Sequence, residues 1–478
     1  MIEMIAALLG GVFYGLIIGI IPAAGATTGL IALFGFISYF IHEPYLGVIF
    51  LMAVVAASTT GDSFTAILLG IPGANSAAAT MVDGFPLAQK GRAGYAISAA
   101  VTTSTVNGLI WGCLVFLLLP WYTNLIMIFG IPELWAFTVL ALATVGFLSN
   151  RYWFRTILAI AFGLLIGLVG VDPENNEPRF TMGWFYLEDG IQIMAVAAGL
   201  FAIPELVKGL FTKTSTANGE IAKGELWAGM KAVWHNRWLA LRGGFIGAFI
   251  GLLPGLGGQM ADWLAYGSAV ASNPKEKFGN GNIKGVIGPE GANNSQKATS
   301  MITTVIFGIP GAKFAAILMS LFMYLNIELG TPDIVEDTEL FTSMTFGFLG
   351  ATVIVALICM FLIKPISKIA SVPYKYYFPI LLALIVFTSM QYTGGWEDLA
   401  MLAIFSCIGF FCKHFMFSRP AMLIGYILAD KVEGLTLQLL GLYTWETLIT
   451  RPIFMILAVS IIGILIFSII RKGRIDYA

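Results

Sequence analysis

Long apolar runs alternate with short polar or Gly/Pro-rich breaks along the whole chain. Runs of roughly 17–25 apolar residues are the length at which an α-helix crosses the hydrocarbon core of a bilayer. Segments of roughly ten residues with alternating polarity, which mark a spanning β-barrel, do not recur. The pattern predicts an all-α polytopic membrane protein with about 10–14 membrane segments. Residues 4–41 are apolar but interrupted at Pro22-Ala23-Ala24-Gly25, which predicts a broken helix or a helical hairpin. Residues 45–57 are apolar and lead into a small polar cluster, Ser58 to Thr65. Met81 to Arg92 reads as a surface loop, and spans are expected at 94–119, 133–149, 155–170 and 189–207. A polar linker, Lys208 to Arg242, separates a first transmembrane unit (1–207) from a second (243–478). The second opens with a broken stretch, 243–272, then the polar segment Asn273 to Lys284, then Gly288 to Ser300. Its further spans fall at 341–363, 376–391, 399–412, 421–429 (with a continuation toward Leu442) and 452–470.

The breaks come in matched pairs. Gly19-Ile20-Ile21-Pro22-Ala23-Ala24-Gly25 and Leu69-Gly70-Ile71-Pro72-Gly73-Ala74-Asn75 interrupt the first unit. Gly251-Leu252-Leu253-Pro254-Gly255-Leu256-Gly257 and Phe307-Gly308-Ile309-Pro310-Gly311-Ala312-Lys313 interrupt the second. Pro22 and Pro254 lie 232 residues apart, and Pro72 and Pro310 lie 238 apart. A two-part pattern returning at nearly constant offset predicts an internal duplication. Pro removes a backbone donor, and Gly admits backbone shapes other residues avoid. In lipid such a break is tolerated only where other protein or a watery cavity meets the freed groups. Broken segments at matching places in two halves point to a transporter's binding site.

Loop charge sets the orientation, because cytoplasmic loops are enriched in Lys and Arg. Lys90/Arg92, Arg151/Arg155, the 208–242 linker, Lys364/Lys368/Lys375, Lys413/Arg419 and Arg471/Lys472/Arg474 fall on the cytoplasmic side, with the C-terminus. Loops 171–189 and 326–340 carry five acids each and fall outside. The region after the first motif pair is then cytoplasmic and its counterpart external, which predicts an inverted repeat.

Composition narrows the function. Of 478 residues 58% are hydrophobic and 11% charged, with mean hydropathy +0.86. The net charge of −1 gives no bulk attraction to nucleic acid. The N-terminus has one acid, Glu3, and no basic region, so it reads as the start of the first span and not as a cleaved signal. Cys113, Cys359, Cys407 and Cys412 have neither metal-ligand nor disulfide spacing, and His42, His235 and His414 are scattered. No nucleophile–base set or nucleotide-binding motif is visible, so neither an enzyme nor a cofactor is expected.

The candidate chemistry lies at the breaks. Asp62 is an acid in an otherwise uncharged stretch, a functional hypothesis by default in a membrane; the plainer alternative is a helix cap at the water boundary. Ser58, Thr59, Thr60, Ser63, Thr65 and Ser295 offer oxygens for a coupling cation, sodium or a proton. Backbone N–H groups around Pro72, Gly73, Ala74, Asn75 and Ser76, and around Pro310, Gly311 and Ala312, are candidate carboxylate holders. Asn293 and Asn294 can donate or accept. Lys297 and Lys313 flank the second break; each can snorkel, neutralise an anionic substrate or stand in for a bound cation, with Asp262 a candidate partner. Pro22, Gly25, Pro254, Gly255 and Gly257 mark the first break of each unit.

Several motifs together resemble the large membrane subunit of tripartite tricarboxylate transporters. They are Ile67 to Gly73, the run Asp83-Gly84-Phe85-Pro86-Leu87-Ala88-Gln89-Lys90-Gly91-Arg92-Ala93-Gly94, Leu253 to Gly257, and Gly288-Pro289-Glu290-Gly291-Ala292-Asn293-Asn294 leading to Gly308 to Gly311. The resemblance covers nearly the whole chain. It implies a secondary transporter of a bacterial inner membrane that takes up carboxylates on a sodium or proton gradient. It also implies a small membrane partner subunit and a periplasmic solute-binding protein that delivers substrate. The chain departs from the family pattern at Pro22-Ala23-Ala24-Gly25, where Pro-Gly-Leu-Gly is usual. It departs again at Asp62, Gln296-Lys297 and Lys313, where small residues are usual. The resulting expectation is import of a di- or tricarboxylate by alternating access between two repeats, with a pore for small anions as the alternative.

Overall fold

The computed structural model describes residues 2–21, 25–70, 77–117, 130–148, 153–172, 177–211, 224–253, 257–331, 334, 336–365, 376–390 and 395–475. Among them the chain is almost entirely helical; the strands are a two-residue antiparallel pair, β1 (Gly170–Val171) and β2 (Pro178–Arg179).

Two helices form the centre. α3 (Pro44–Leu69) is buried along nearly its whole length, and α13 (Lys284–Phe307) is buried all round. A helix with no solvated face belongs in the interior. The helices before α3 are α1 (Ile2–Ile20) and α2 (Gly25–Ala32). α4 (Ala78–Gln89), α5 (Ala93–Leu117), α6 (Ile131–Leu148) and α7 (Trp153–Gly167) follow it. α8 (Ile193–Ala197) runs through a π-turn (Ala198–Ala202) into α9 (Ile203–Phe211). α10 (Glu225–His235), α11 (Arg237–Leu252) and α12 (Gly257–Ser272) lead to α13. Beyond it come α14 (Lys313–Tyr324), α15 (Thr338–Phe361), α16 (Tyr377–Ser389), α17 (Trp396–His414) and α18 (Arg419–Ile427). The last are α19 (Ala429–Leu442), α20 (Trp445–Ile449) and α21 (Pro452–Ile475).

α1 lies along α3, and α11 lies along α13. Glycines every fourth residue make both contacts close, because residues four apart share a helix face. On α1 these are Gly11, Gly15 and Gly19, whose added Cβ atoms would come within 2.4, 2.6 and 2.3 Å of backbone oxygens of Phe50, Val54 and Ser58. On α11 they are Gly243, Gly247 and Gly251, set against Gly288, Ala292 and Gln296 in the same way. Small residues allow this approach between membrane helices. α5 packs across on α13, and α15 packs across on α3.

Outward faces are apolar. Ile2, Ile5, Leu9 and Phe13 of α1, and Phe245, Phe249 and Leu252 of α11, are exposed. Among the described residues four helices are long and apolar enough to cross a membrane: Ile2–Ile20, Pro44–Leu69, Ala93–Val115 and Thr338–Phe361. Five shorter apolar helices accompany them. These features agree with an all-α membrane protein.

One expectation needs correction. Met81 to Arg92 is not a surface loop: it lies mostly in α4, which packs on α3 and α13. The second part of the expected linker is helical, as α10 and the start of α11. Glu225, at the start of α10, accepts from the Gly94 N–H, which ties that segment to α5.

Candidate functional site

The two central helices end in the same way. α3 ends at Gly70 with φ 63°, and α13 ends at Gly308 with φ 59°. Both are left-handed caps that only Gly adopts cheaply, each followed two residues later by Pro, which cannot continue a helix. Pro72, Gly73, Ala74, Asn75 and Ser76 lie outside the described residues, as do Pro22, Pro254 and Gly255. Gly25 and Gly257 open α2 and α12.

The end of α11 meets α13 and the segment that follows it. The Thr303 hydroxyl donates to the Leu252 carbonyl at the end of α11, 3.3 Å away. An added Cβ on Gly311 would lie 2.8 Å from Ser300 and 3.3 Å from the Gly251 carbonyl. Pro310, Gly311 and Ala312 are buried. The Gly311 N–H already donates to the Thr304 hydroxyl. Ala312 precedes the first turn of α14, whose N-terminus carries partial positive charge. The carbonyl end of α13 is engaged as well: Phe307 accepts from the Lys431 ammonium, and Val305 from the Gly330 N–H.

Between α3, α12 and α13 the structure gathers the polar side chains of the centre. Glu290 is fully buried and accepts from Ser63 at 2.8 Å and Thr80 at 2.7 Å, with Asn293 also hydrogen-bonded to it. Lys297, 4% exposed, donates to the Thr59 hydroxyl and lies 5.8 Å from the Phe314 ring. Asp62, Asp262 and Glu290 each interact electrostatically with Lys297. Both oxygens of Asp62 and of Asp262 are buried and accept no hydrogen bond. Asn294 and Gln296 have both side-chain polar atoms buried and unpartnered, and so is the Thr60 hydroxyl. Buried polar groups ordinarily find partners. A concentration of unsatisfied ones on two central helices marks a place prepared for something polar.

The predicted residues divide. Asp62, Thr59, Ser63, Asn293, Asn294 and Lys297 come to this centre. Asp62 is not a boundary cap: it is fully buried, far inside α3. The Ser58, Thr65 and Ser295 hydroxyls instead donate to carbonyls of their own helices, those of Val55, Asp62, and Gly291 with Ala292. Lys313 lies apart, 5.7 Å from the Phe201 ring. Glu290 and Thr80 were not singled out for chemistry. The criterion that marks Asp62, an acid within an uncharged span, applies equally to Glu290. Thr59 and Lys297, in direct contact, are 238 residues apart, the same interval as Pro72 and Pro310.

Asp83 has a different task. Its carboxylate accepts from the N–H groups of Gly281 and Asn282, at 2.9 and 2.8 Å, and from the Tyr266 hydroxyl at 3.0 Å. It holds α4 to the loop that starts α13. In that loop Lys284 and Asn282 bond Glu276 and hold its carboxyl below the usual range.

A family model described as the tripartite tricarboxylate transporter TctA family matches residues 5–424. An uncharacterized 52.8 kDa protein in the TAR-I ttuC' 3' region of Agrobacterium vitis is 28% identical over 428 residues, 88% of this chain and 84% of that protein. An uncharacterized protein in the TAR-II ttuC' 3' region of the same organism is 27% identical over 192 residues, 39% of this chain and 78% of that one. No solved structure matches.

Proposed function

Since the chain belongs to the tripartite tricarboxylate transporter TctA family, we propose that it is the large subunit of a secondary carrier importing a di- or tricarboxylate. The carrier is coupled to a cation gradient and lies in an inner membrane, with its C-terminus cytoplasmic. A small membrane subunit and a periplasmic solute-binding protein complete the system. The observation that carries this reading is the set of unpartnered buried polar groups on α3 and α13, beside paired helix ends. Substrate carboxylates bind at the N-terminus of α14 and at Asn294, and the cation at Asp62 and Asp262.

The two units are inverted repeats, and one moves against the other to alternate access. The crosswise packing of α5 and α15 supports a two-fold relation, as does the contact of Thr59 with Lys297. Counterflow tests the carrier. Preloaded proteoliposomes are expected to exchange labelled carboxylate, and Asn294→Leu to abolish that exchange without loss of membrane expression. Sustained unitary currents, or wild-type exchange by the variant, would sink the assignment.

A further inference from the structure

Between β2 and the short turn Phe185–Leu187 the backbone from Phe180 to Trp184 is neither helix nor strand. Phe180 and Met182 are left-handed there, φ 54° and 53°, a conformation that is costly for bulky side chains. Such strain persists only where the surrounding structure imposes it, and it gathers at functional places. Its result is that Thr181 is buried while Phe180 and Met182 stand outside, Met182 98% exposed. Phe185 is exposed too, as is Trp396 at the start of α17, whose ring stacks on Trp184 at 6.2 Å. The segment is held firmly. Arg179 pairs with Glu433 of α19, and the Tyr186 hydroxyl donates to Asp398 of α17 at 2.9 Å.

These side chains do not face hydrocarbon. Lipid tails do not admit irregular backbone, and Glu177 and Asp189 are exposed on the same loop. Acids surround the patch. Residues 171–189 hold five, and their one base, Arg179, is paired with Glu433 and Asp172. α19 also gathers the second acid-rich loop, 326–340: Lys431 donates to the Phe307 carbonyl and lies against Gly330. Glu328, Glu336 and Glu339 of that loop are exposed. Such a face is repelled by anionic headgroups and attracts a protein rich in Lys and Arg. Loop charge assigns both loops to the outer side.

We propose that the strained tip of this hairpin is the docking surface for the solute-binding protein, which receives Phe180, Met182, Phe185 and Trp396 in an apolar pocket rimmed by Lys and Arg. The proposal rests on the reading of the chain as the large subunit of a tripartite carrier. Large exposed side chains on a rigid tip anchor a partner at little cost in ordering.

Binding of the purified solute-binding protein to the purified full chain in lipid nanodiscs is the test. Wild type is expected to bind, more weakly as salt rises. Met182→Asp and Phe185→Ser are expected to bind at least about tenfold more weakly, with unchanged melting midpoints. Met182→Gly, which removes the side chain and relieves the backbone, is expected to lose the same affinity while melting no lower. Trp227→Ser, at an exposed aromatic of α10, is expected to bind as wild type does. Wild-type affinity in all the hairpin variants would overturn the proposal and leave the carrier reading standing. Absence of binding by wild type would overturn it as well, and absence of any uptake driven by that protein would overturn the tripartite reading too. Met182→Cys, in a chain cleared of its four native cysteines, is expected to react with a membrane-impermeant maleimide until the solute-binding protein is added. Protection in the nanodisc alone, by lipid or by a second copy, would also overturn the proposal.

Discussion

At the residue scale, charge burial dominates. Asp62, Asp262, Glu290 and Lys297 sit where an isolated ion costs several kcal/mol even after relaxation, so each persists only through its neighbours or through what binds there. Asp83 is the contrasting case, a buried acid whose three partners are all within the protein. Asp83→Ala leaves two backbone N–H groups and a phenol short of an acceptor. It is expected to lower stability by about 1–3 kcal/mol, read as a fall in the melting midpoint. Asp83→Asn, which keeps one acceptor oxygen, is expected to lose less. Equal melting of Asp83→Ala and wild type would contradict this role. The sequence made Asp62 and Lys297 visible because charge is rare in apolar stretches. It left Asp83 looking like part of a loop, because the run to Arg92 is polar and rich in Gly and Pro. Its partners lie about 200 residues away, at 281 and 282, and nothing local announces them.

At the element scale, close helix approach is the organising constraint. The glycine stripes of α1 and α11 share the offset that separates Pro22 from Pro254. They were present in the sequence, yet only the packing assigns them a function. An added Cβ on Gly247 would lie 2.3 Å from the Ala292 carbonyl, against rigid helix backbone. Gly247→Val is therefore expected to push α11 off α13 and cost about 3 kcal/mol or more, in the manner of an overpacked core. Gly267 of α12 has nothing within 4 Å; Gly267→Ala is expected to be neutral or to stabilise by about 0.5–1 kcal/mol. Thermal melting of the two variants side by side checks both signs. The loop that starts α13 offers a pH test. Lys284 and Asn282 hold the Glu276 carboxyl low, so their contribution is present above the ordinary glutamate pKa of about 4.3 and fades as pH falls through the lowered value. The stability advantage of wild type over Lys284→Met should therefore shrink on acidification below that point. An advantage unchanged down to pH near 3 would contradict it.

At the scale of the whole molecule, two buried helices carry the polar centre, and each is covered by helices from before residue 208 and from after residue 242. Apolar runs made the helices legible in advance, and charge within those runs marked Asp62 and Lys297. The crosswise exchange of α5 and α15 was not legible, because contacts between distant segments leave no periodic trace in one sequence. The central claim is that this buried centre moves an organic anion. Uptake of a labelled tricarboxylate by proteoliposomes holding wild type or Glu290→Gln, with both melting curves recorded, tests it most directly. Gln keeps an acceptor oxygen for Ser63 and Thr80 but removes the charge. The account predicts that uptake falls at least tenfold while the melting midpoint stays within a few degrees. Wild-type uptake by Glu290→Gln would contradict it.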